Sequence, residues 1–151
     1  MAITRRSEYI ERHAKPKKKS WKEDLAHQHV SFAFETTLAS RSFAPWLRKL
    51  RASGYRVHLV FLWLPSVDLA LARVADRVRR GGHDVPAETI RRRYKSGLRN
   101  LFRLYEPLAS TWRVYDSSAQ QPQLVATGLE TSAIKVYDEI AWSRVTASET
   151  S

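Results

Sequence analysis

Apolar residues along this chain follow two kinds of spacing, and the two alternate. Val30-Ser31-Phe32-Ala33-Phe34 alternates large and small side chains and runs into Glu35-Thr36-Thr37, which predicts a strand ending in polar groups. Residues 56–64 are nearly continuous apolar sequence, as expected for a strand buried on both faces, and Pro65 ends it. Residues 112–115 predict a third strand, ending at Asp116-Ser117-Ser118, and residues 123–126 a short fourth. Between these lie helical spacings. Phe43, Trp46, Leu47 and Leu50 share one face of a helix over 45–52, with Gly54 as its stop. Ser66 caps a helix carrying Val67, Leu71, Val74 and Val78, and Gly81-Gly82 breaks it. Pro86 suits the first turn of the next helix, whose stripe is Ile90, Tyr94, Leu98, Leu101 and Tyr105, and Pro107 closes it. A terminal helix is expected over 134–142, and the last residues should fray. Strands alternating with helices predict an α/β fold with a mostly parallel sheet covered on both faces. Ligands of such sheets bind beyond the carboxyl ends of the strands, here Glu35-Thr36-Thr37 and Asp116-Ser117-Ser118.

Composition adds charge to this picture. The chain has 151 residues, a common size for one domain, and 43% hydrophobic residues, enough for a core. It has no cysteine, which excludes disulfides and thiolate metal sites and suits a reducing, cytoplasmic setting. The apolar run at 57–64 is interrupted by His58 and is too short to span a bilayer, so no membrane partner is expected. The first 19 residues are charged and hold no apolar stretch of the secretory-signal kind. The formal net charge of +11 is concentrated in two blocks. Residues 1–22 hold eight Lys and Arg against two Glu, a local +6, and residues 73–103 hold ten against three acids, a local +7. Either block can meet phosphate on a nucleotide, a nucleic acid or a lipid head group. The first reads as a basic arm over 1–19, because Lys15-Pro16-Lys17-Lys18-Lys19 repels itself and its proline blocks helix. Ser20-Trp21-Lys22-Glu23 then reads as a capping box opening a short helix.

Two groups of residues carry candidate chemistry. Glu35, Thr36 and Thr37 offer a carboxylate and two hydroxyls past a strand end. They can orient a substrate alcohol or hold magnesium through water, or they can be a turn cluster before the next helix. The second group is Arg73, Arg77, Arg79 and Arg80, then Gly81-Gly82-His83, then Arg91, Arg92 and Arg93. Arginine grips phosphate oxygens bidentately, and two arginine helices joined by a glycine hinge suit a lid over polyphosphate. Taken singly, each arginine is also what a solvated helix face carries.

Several of these segments occur in an order that resembles a known family. They are Ser31-Phe32-Ala33-Phe34-Glu35-Thr36-Thr37-Leu38, Gly54 through Leu64, Arg77-Val78-Arg79-Arg80-Gly81-Gly82-His83-Asp84-Val85-Pro86, Ile90-Arg91-Arg92-Arg93-Tyr94 and Tyr115-Asp116-Ser117. Together they resemble the zeta-toxin-like P-loop kinases, in the branch of predicted ABC-type ATPases, over about residues 30–128. The resemblance implies a three-layer fold of the adenylate-kinase type, with ATP and magnesium as cofactors. Zeta toxins proper phosphorylate UDP-activated amino sugars. It implies Arg77 and Arg93 as lid arginines on the ATP phosphates, with Arg73, Arg80, Gly81, Gly82 and His83 in the lid, although His83 can equally be a turn residue. Glu35, Thr36 and Thr37 fall at the substrate-side strand end. No metal-ligating residue is assigned.

The same family carries a G-x-x-x-x-G-K-[ST] loop, whose backbone N–H groups cradle phosphate. No such motif stands in these 151 residues, and the first glycine is Gly54. The acid that follows the family's second strand also has no counterpart. The expectation is therefore a partial fold lacking its central P-loop strand, between a basic segment at 1–29 and a C-terminal helix and tail at 129–151. Unpaired strand edges left by that gap cost about 1–3 kcal/mol for each buried group. This predicts marginal stability, a rearranged sheet or association with another chain. Three functions follow: a kinase-family chain inactive by itself, a module completed by a second chain, or a basic nucleic-acid-binding protein. The partners to match are a nucleotide, a strand-supplying chain or an antitoxin, and nucleic acid.

Overall fold

The computed structural model describes residues 2–4, 30–130 and 134–147. The capping box at Ser20 and most of the basic segment lie outside the described residues. Six strands form one sheet: β1 (Ala2–Thr4), β2 (Phe32–Ala33), β3 (Arg56–Trp63), β4 (Thr111–Asp116), β5 (Gln123–Leu129) and β6 (Lys135–Val136). Their spatial order is β2-β1-β3-β4-β5-β6. The helices are α1 (Phe43–Ala52), α2 (Val67–Arg79), α3 (Ala87–Asn100) and α4 (Glu139–Ala147).

The α/β class holds, but the sheet is not mostly parallel. Only β3 and β4 pair in parallel, and the other four pairings are antiparallel. The reason is local. Residues 117–122 between β4 and β5 are too few for a crossover helix, so they return the chain antiparallel. β1 lies between β2 and β3 and runs antiparallel to both. Ala2–Thr4, expected within a basic arm, therefore belongs to the sheet.

Burial on both faces of β3 is also corrected. Val57, Leu59 and Trp63 are buried, whereas Val60 and Leu62 on the opposite face are 43% and 57% exposed. Parallel register continues both faces into β4: Leu59 pairs with Trp112 and Phe61 with Val114, and Val60 pairs with the exposed Arg113. The covered face receives α4, whose Trp142 stacks on Trp112 with ring centroids 5.7 Å apart, and whose Arg144 lies over the Trp63 ring. Among the described residues β3 and β4 are thus covered on one face, not on both as a three-layer fold requires.

The helix ends follow sequence chemistry closely. In α1 the Tyr55 N–H reaches the Leu50 carbonyl at 3.0 Å and the Gly54 N–H the Arg51 carbonyl at 2.9 Å. In α2 the Gly82 N–H reaches the Arg77 carbonyl and the Gly81 N–H the Val78 carbonyl, both at 2.9 Å. Both ends are Schellman caps, and each needs a glycine at positive φ, +87° at Gly54 and +85° at Gly81. Ser66 accepts the Leu69 N–H at 3.2 Å, as its place before α2 predicts.

Two helix extents differ from expectation. The stripe through Tyr105 is not one α-helix: α3 stops at Asn100 and passes into a π-helical turn (Leu101–Tyr105) and a 3-10 turn (Glu106–Leu108). Leu101 and Tyr105, four residues apart across the π turn, are both buried in the core. The terminal helix begins at Glu139 rather than Ile134 because Asp138 caps it, accepting the Ala141 N–H at 2.9 Å, and Lys135–Val136 pair with β5 instead.

Candidate phosphate-binding cleft

Past β2 the chain turns sharply at Leu38, which is buried and takes φ of +56°. A non-glycine residue adopts that conformation only when its surroundings hold it there. Here they do. The Asn100 side chain donates to the Leu38 and Ala39 carbonyls at 2.9 and 3.1 Å. Tyr105 donates its hydroxyl to the Ser40 carbonyl, and Thr36 Oγ1 accepts the Leu38 N–H at 3.2 Å. Burial pushes the Tyr105 phenol above its ordinary range, against an opposing hydrogen bond from the Phe43 backbone, so it stays a donor. Gly97 lets α3 approach this turn, because a Cβ there would sit 2.5 Å from the Thr37 carbonyl oxygen.

The turn presents Glu35, Thr36 and Thr37 to a cavity of about 590 Å³. The carboxyl half of β3 and the residue after it, Leu59 to Leu64, form a second side. α2 and α3 form the third, through Ala70, Val74, Arg77, Ile90, Arg93 and Tyr94. Tyr94 ties α3 to the end of β3, its hydroxyl donating to the Leu64 carbonyl at 2.7 Å. Burial raises its pKa, against a smaller pull from Arg144. The cleft is therefore apolar on its walls, with two guanidinium groups and one carboxylate among its lining residues.

The structure brings together Glu35, Thr36, Thr37, Arg77 and Arg93, although more than 50 residues separate Glu35 from Arg93 in sequence. It does not bring in the other expected lid residues. Arg73 donates to Ser117 Oγ at 3.1 Å and to the Ser117 carbonyl, fastening α2 to the end of β4. Arg80 pairs with Asp76 at 2.7 Å. Gly81 and Gly82 form the Schellman cap of α2, and a Cβ at Gly82 would lie 2.6 Å from Arg77 Cγ. The His83 carbonyl accepts from Arg77 Nη2 at 3.1 Å, which uses one of the five N–H donors of that guanidinium. Arg93 makes no ion pair among the described residues. Asp116 is a turn residue, accepting the Ser118 N–H at 2.7 Å. Gly97 and Asn100 shape the site yet were not singled out from the sequence. Their only signal is a glycine and an asparagine inside an otherwise helical pattern.

Residues 3–141 match the zeta toxin family profile. The chain belongs to the zeta toxin family. The matched span is wider than the segments at 30–128 and takes in Ile3 and Thr4 of β1 and the basic residues after them. An uncharacterized protein of Haemophilus influenzae (strain ATCC 51907 / DSM 11121 / KW20 / Rd) is 33% identical over 67 residues, 44% of this chain and 48% of that protein. The chain thus spans about half the length of the curated relative it matches. No solved structure matches it.

Two guanidinium groups lining one apolar cleft fit the phosphates of a nucleotide. Among the described residues no group of three or more His, Asp and Glu side chains is placed to hold a metal ion. Magnesium commonly takes most of its ligands from phosphate oxygens and water, with one or two carboxylates. In this cleft Glu35 is the carboxylate that could serve it. No helix among the described residues is long and apolar enough to cross a membrane.

Proposed function

We propose that this protein binds a nucleoside polyphosphate in the cleft between the Glu35–Thr37 turn and the α2–α3 pair, in the manner of a phosphoryl-transfer protein. The observation that carries the reading is the convergence of Arg77 and Arg93 with Glu35, Thr36 and Thr37 on one cavity. In this reading the guanidinium groups neutralise polyphosphate charge, and the threonine hydroxyls and Glu35 orient an acceptor hydroxyl. The acceptor class is a small molecule such as a nucleotide sugar, and an antitoxin is the expected protein partner. ATP with magnesium is the expected donor, the ion supplying charge neutralisation at the phosphates when bound.

Phosphoryl transfer depends on positioning and charge neutralisation more than on covalent chemistry by the protein. This sequence has no G-x-x-x-x-G-K-[ST] loop to cradle the phosphates. The reading therefore includes that the chain binds nucleotide without transferring phosphate by itself. Calorimetric titration with ATP, ADP and adenosine tests the binding. Affinity should rise with the number of phosphates and fall in the Arg77→Ala and Arg93→Ala variants. Equal affinity for adenosine and ATP would remove the phosphate reading. Phosphorylation of a nucleotide sugar by the chain alone would contradict the second part.

A further inference from the structure

Gly81 and Gly82 are consecutive, yet the fold calls for glycine at each for a different reason. Gly81 takes a φ of +85°, a conformation that favours glycine, and a Cβ there would meet nothing within 4 Å. Gly82 is not among the glycines at positive φ, so its backbone conformation makes no such demand. What it needs is space. A Cβ at Gly82 would lie 2.6 Å from Arg77 Cγ and 2.8 Å from the Arg77 carbonyl oxygen. Carbon atoms pack at roughly 3.5–4.0 Å, so the arginine would have to move.

The same loop grips Arg77 at two points. The Arg77 carbonyl accepts the Gly82 N–H at 2.9 Å, and its Nη2 donates to the His83 carbonyl at 3.1 Å. The loop thus folds back over one side chain, with Gly82 against the stem and His83 at the tip. A glycine pair between two arginine helices suits a free hinge, but here hydrogen bonds close it. The guanidinium is planar and rigid, so a bond at one nitrogen orients the others. Arg77 lines the cavity, and its remaining donors can serve a ligand there. A long side chain ordered before its ligand arrives loses less freedom on binding. No bond of this kind holds Arg93 among the described residues.

We propose that Gly82 is a positioning residue for Arg77. The absence of a side chain at Gly82 lets the loop clamp the arginine stem, and the clamp aims the guanidinium into the cleft before the phosphates arrive. The inference rests on the reading of the cleft as a polyphosphate site. It goes beyond that reading by giving the two arginines unequal roles, Arg77 preset by its loop and Arg93 ordered by the ligand.

The test titrates the full chain with ATP and with adenosine and takes the ratio of the two affinities. Gly82→Ala should lower that ratio by roughly tenfold, the loss of one well-placed charged contact. General loosening of the fold lowers both affinities alike and leaves the ratio as it was. In the Arg77→Ala background Gly82→Ala should lower the ratio no further, because the clamp has nothing to hold. In the Arg93→Ala background its effect should persist. Nitrogen-15 relaxation of the ligand-free native chain needs no variant at all. It should find the Arg77 Nε–H more restricted than that of Arg92, an exposed residue of α3. A ratio that Gly82→Ala leaves at its native value overturns the proposal, and so does a further drop in the Arg77→Ala background. Equal mobility of Arg77 and Arg92 overturns it even where the Gly82 variant does not fold. A native chain that binds ATP no better than adenosine overturns the nucleotide reading first, and this proposal with it.

Discussion

Gly97 and His58 show how much a single position can decide in this protein. At Gly97 a methyl group would press on the Thr37 carbonyl oxygen, and that contact lies between two rigid backbones, so neither side can yield cheaply. Gly97→Ala should destabilise the fold by about 1–3 kcal/mol despite its gain in helix propensity. Because the turn it displaces carries Glu35–Thr37, nucleotide affinity should fall with it. Denaturant unfolding and an ATP titration check both, and an unchanged midpoint would refute the contact.

His58 has a pKa lowered mainly by burial and further by the neighbouring cations Arg56 and Arg113. It shares a 2.7 Å hydrogen bond with Thr111 Oγ1. Its folded pKa lies below that of the unfolded chain, so the unfolded state takes the proton first as pH falls. Stability from this residue is complete above the ordinary histidine value of about 6.5 and declines below it, down to the lowered folded value. Melting points at a series of pH values should fall through that window, and His58→Gln should flatten the fall.

At the scale of elements, α2 stands apart. None of its residues is buried, and its apolar side lies over the cavity rather than against the core. Its fastenings are the Arg73–Ser117 bonds, contacts with α3 and the glycine cap. Local stability follows contact density, so α2 amides should exchange well before those of β3 and β4. Gly81→Ala meets no neighbour within 4 Å but must hold φ near +85°. It should cost about 1 kcal/mol, measured by chemical denaturation, and should raise exchange in α2 selectively. An α2 as protected as β4 would contradict this account. The elements were also what the sequence showed best. Ser66, Gly54 and Gly81 mark helix ends by chemistry that acts over a few residues, and all three appear where that chemistry puts them. The break of α3 at Asn100 was hidden because a π turn keeps the apolar stripe almost unchanged. Asp138 is hard to see as a cap because Ile134, Tyr137 and Ala141 keep helical spacing across it.

Over the whole molecule, the sheet was the least legible part. A near-continuous apolar run such as 56–64 does not distinguish a strand buried on both faces from one with Val60 and Leu62 open to solvent. Nor does pattern alone place Ala2–Thr4, three residues at the start of a basic segment, between β2 and β3. That pairing is long-range, and nothing local encodes it. The cleft was half legible. Both of its polar groups were visible as residue clusters, but their meeting depends on a turn strained at Leu38 and held by Asn100 and Tyr105. Arg73, expected among the lid arginines, donates instead to Ser117, a partner far off in sequence that no local pattern points to.

The most direct test of the cleft is a thermal melt of the chain with and without millimolar Mg-ATP, run in parallel on the Arg77→Ala, Arg93→Ala double variant. A ligand at about 100 times its dissociation constant adds roughly 2.7 kcal/mol, a shift of several degrees. The account predicts that shift for the native chain and its loss in the double variant, with the ligand-free melting point of the variant little changed. A cooperative melt that Mg-ATP does not move, or one that it moves equally in both proteins, would contradict it.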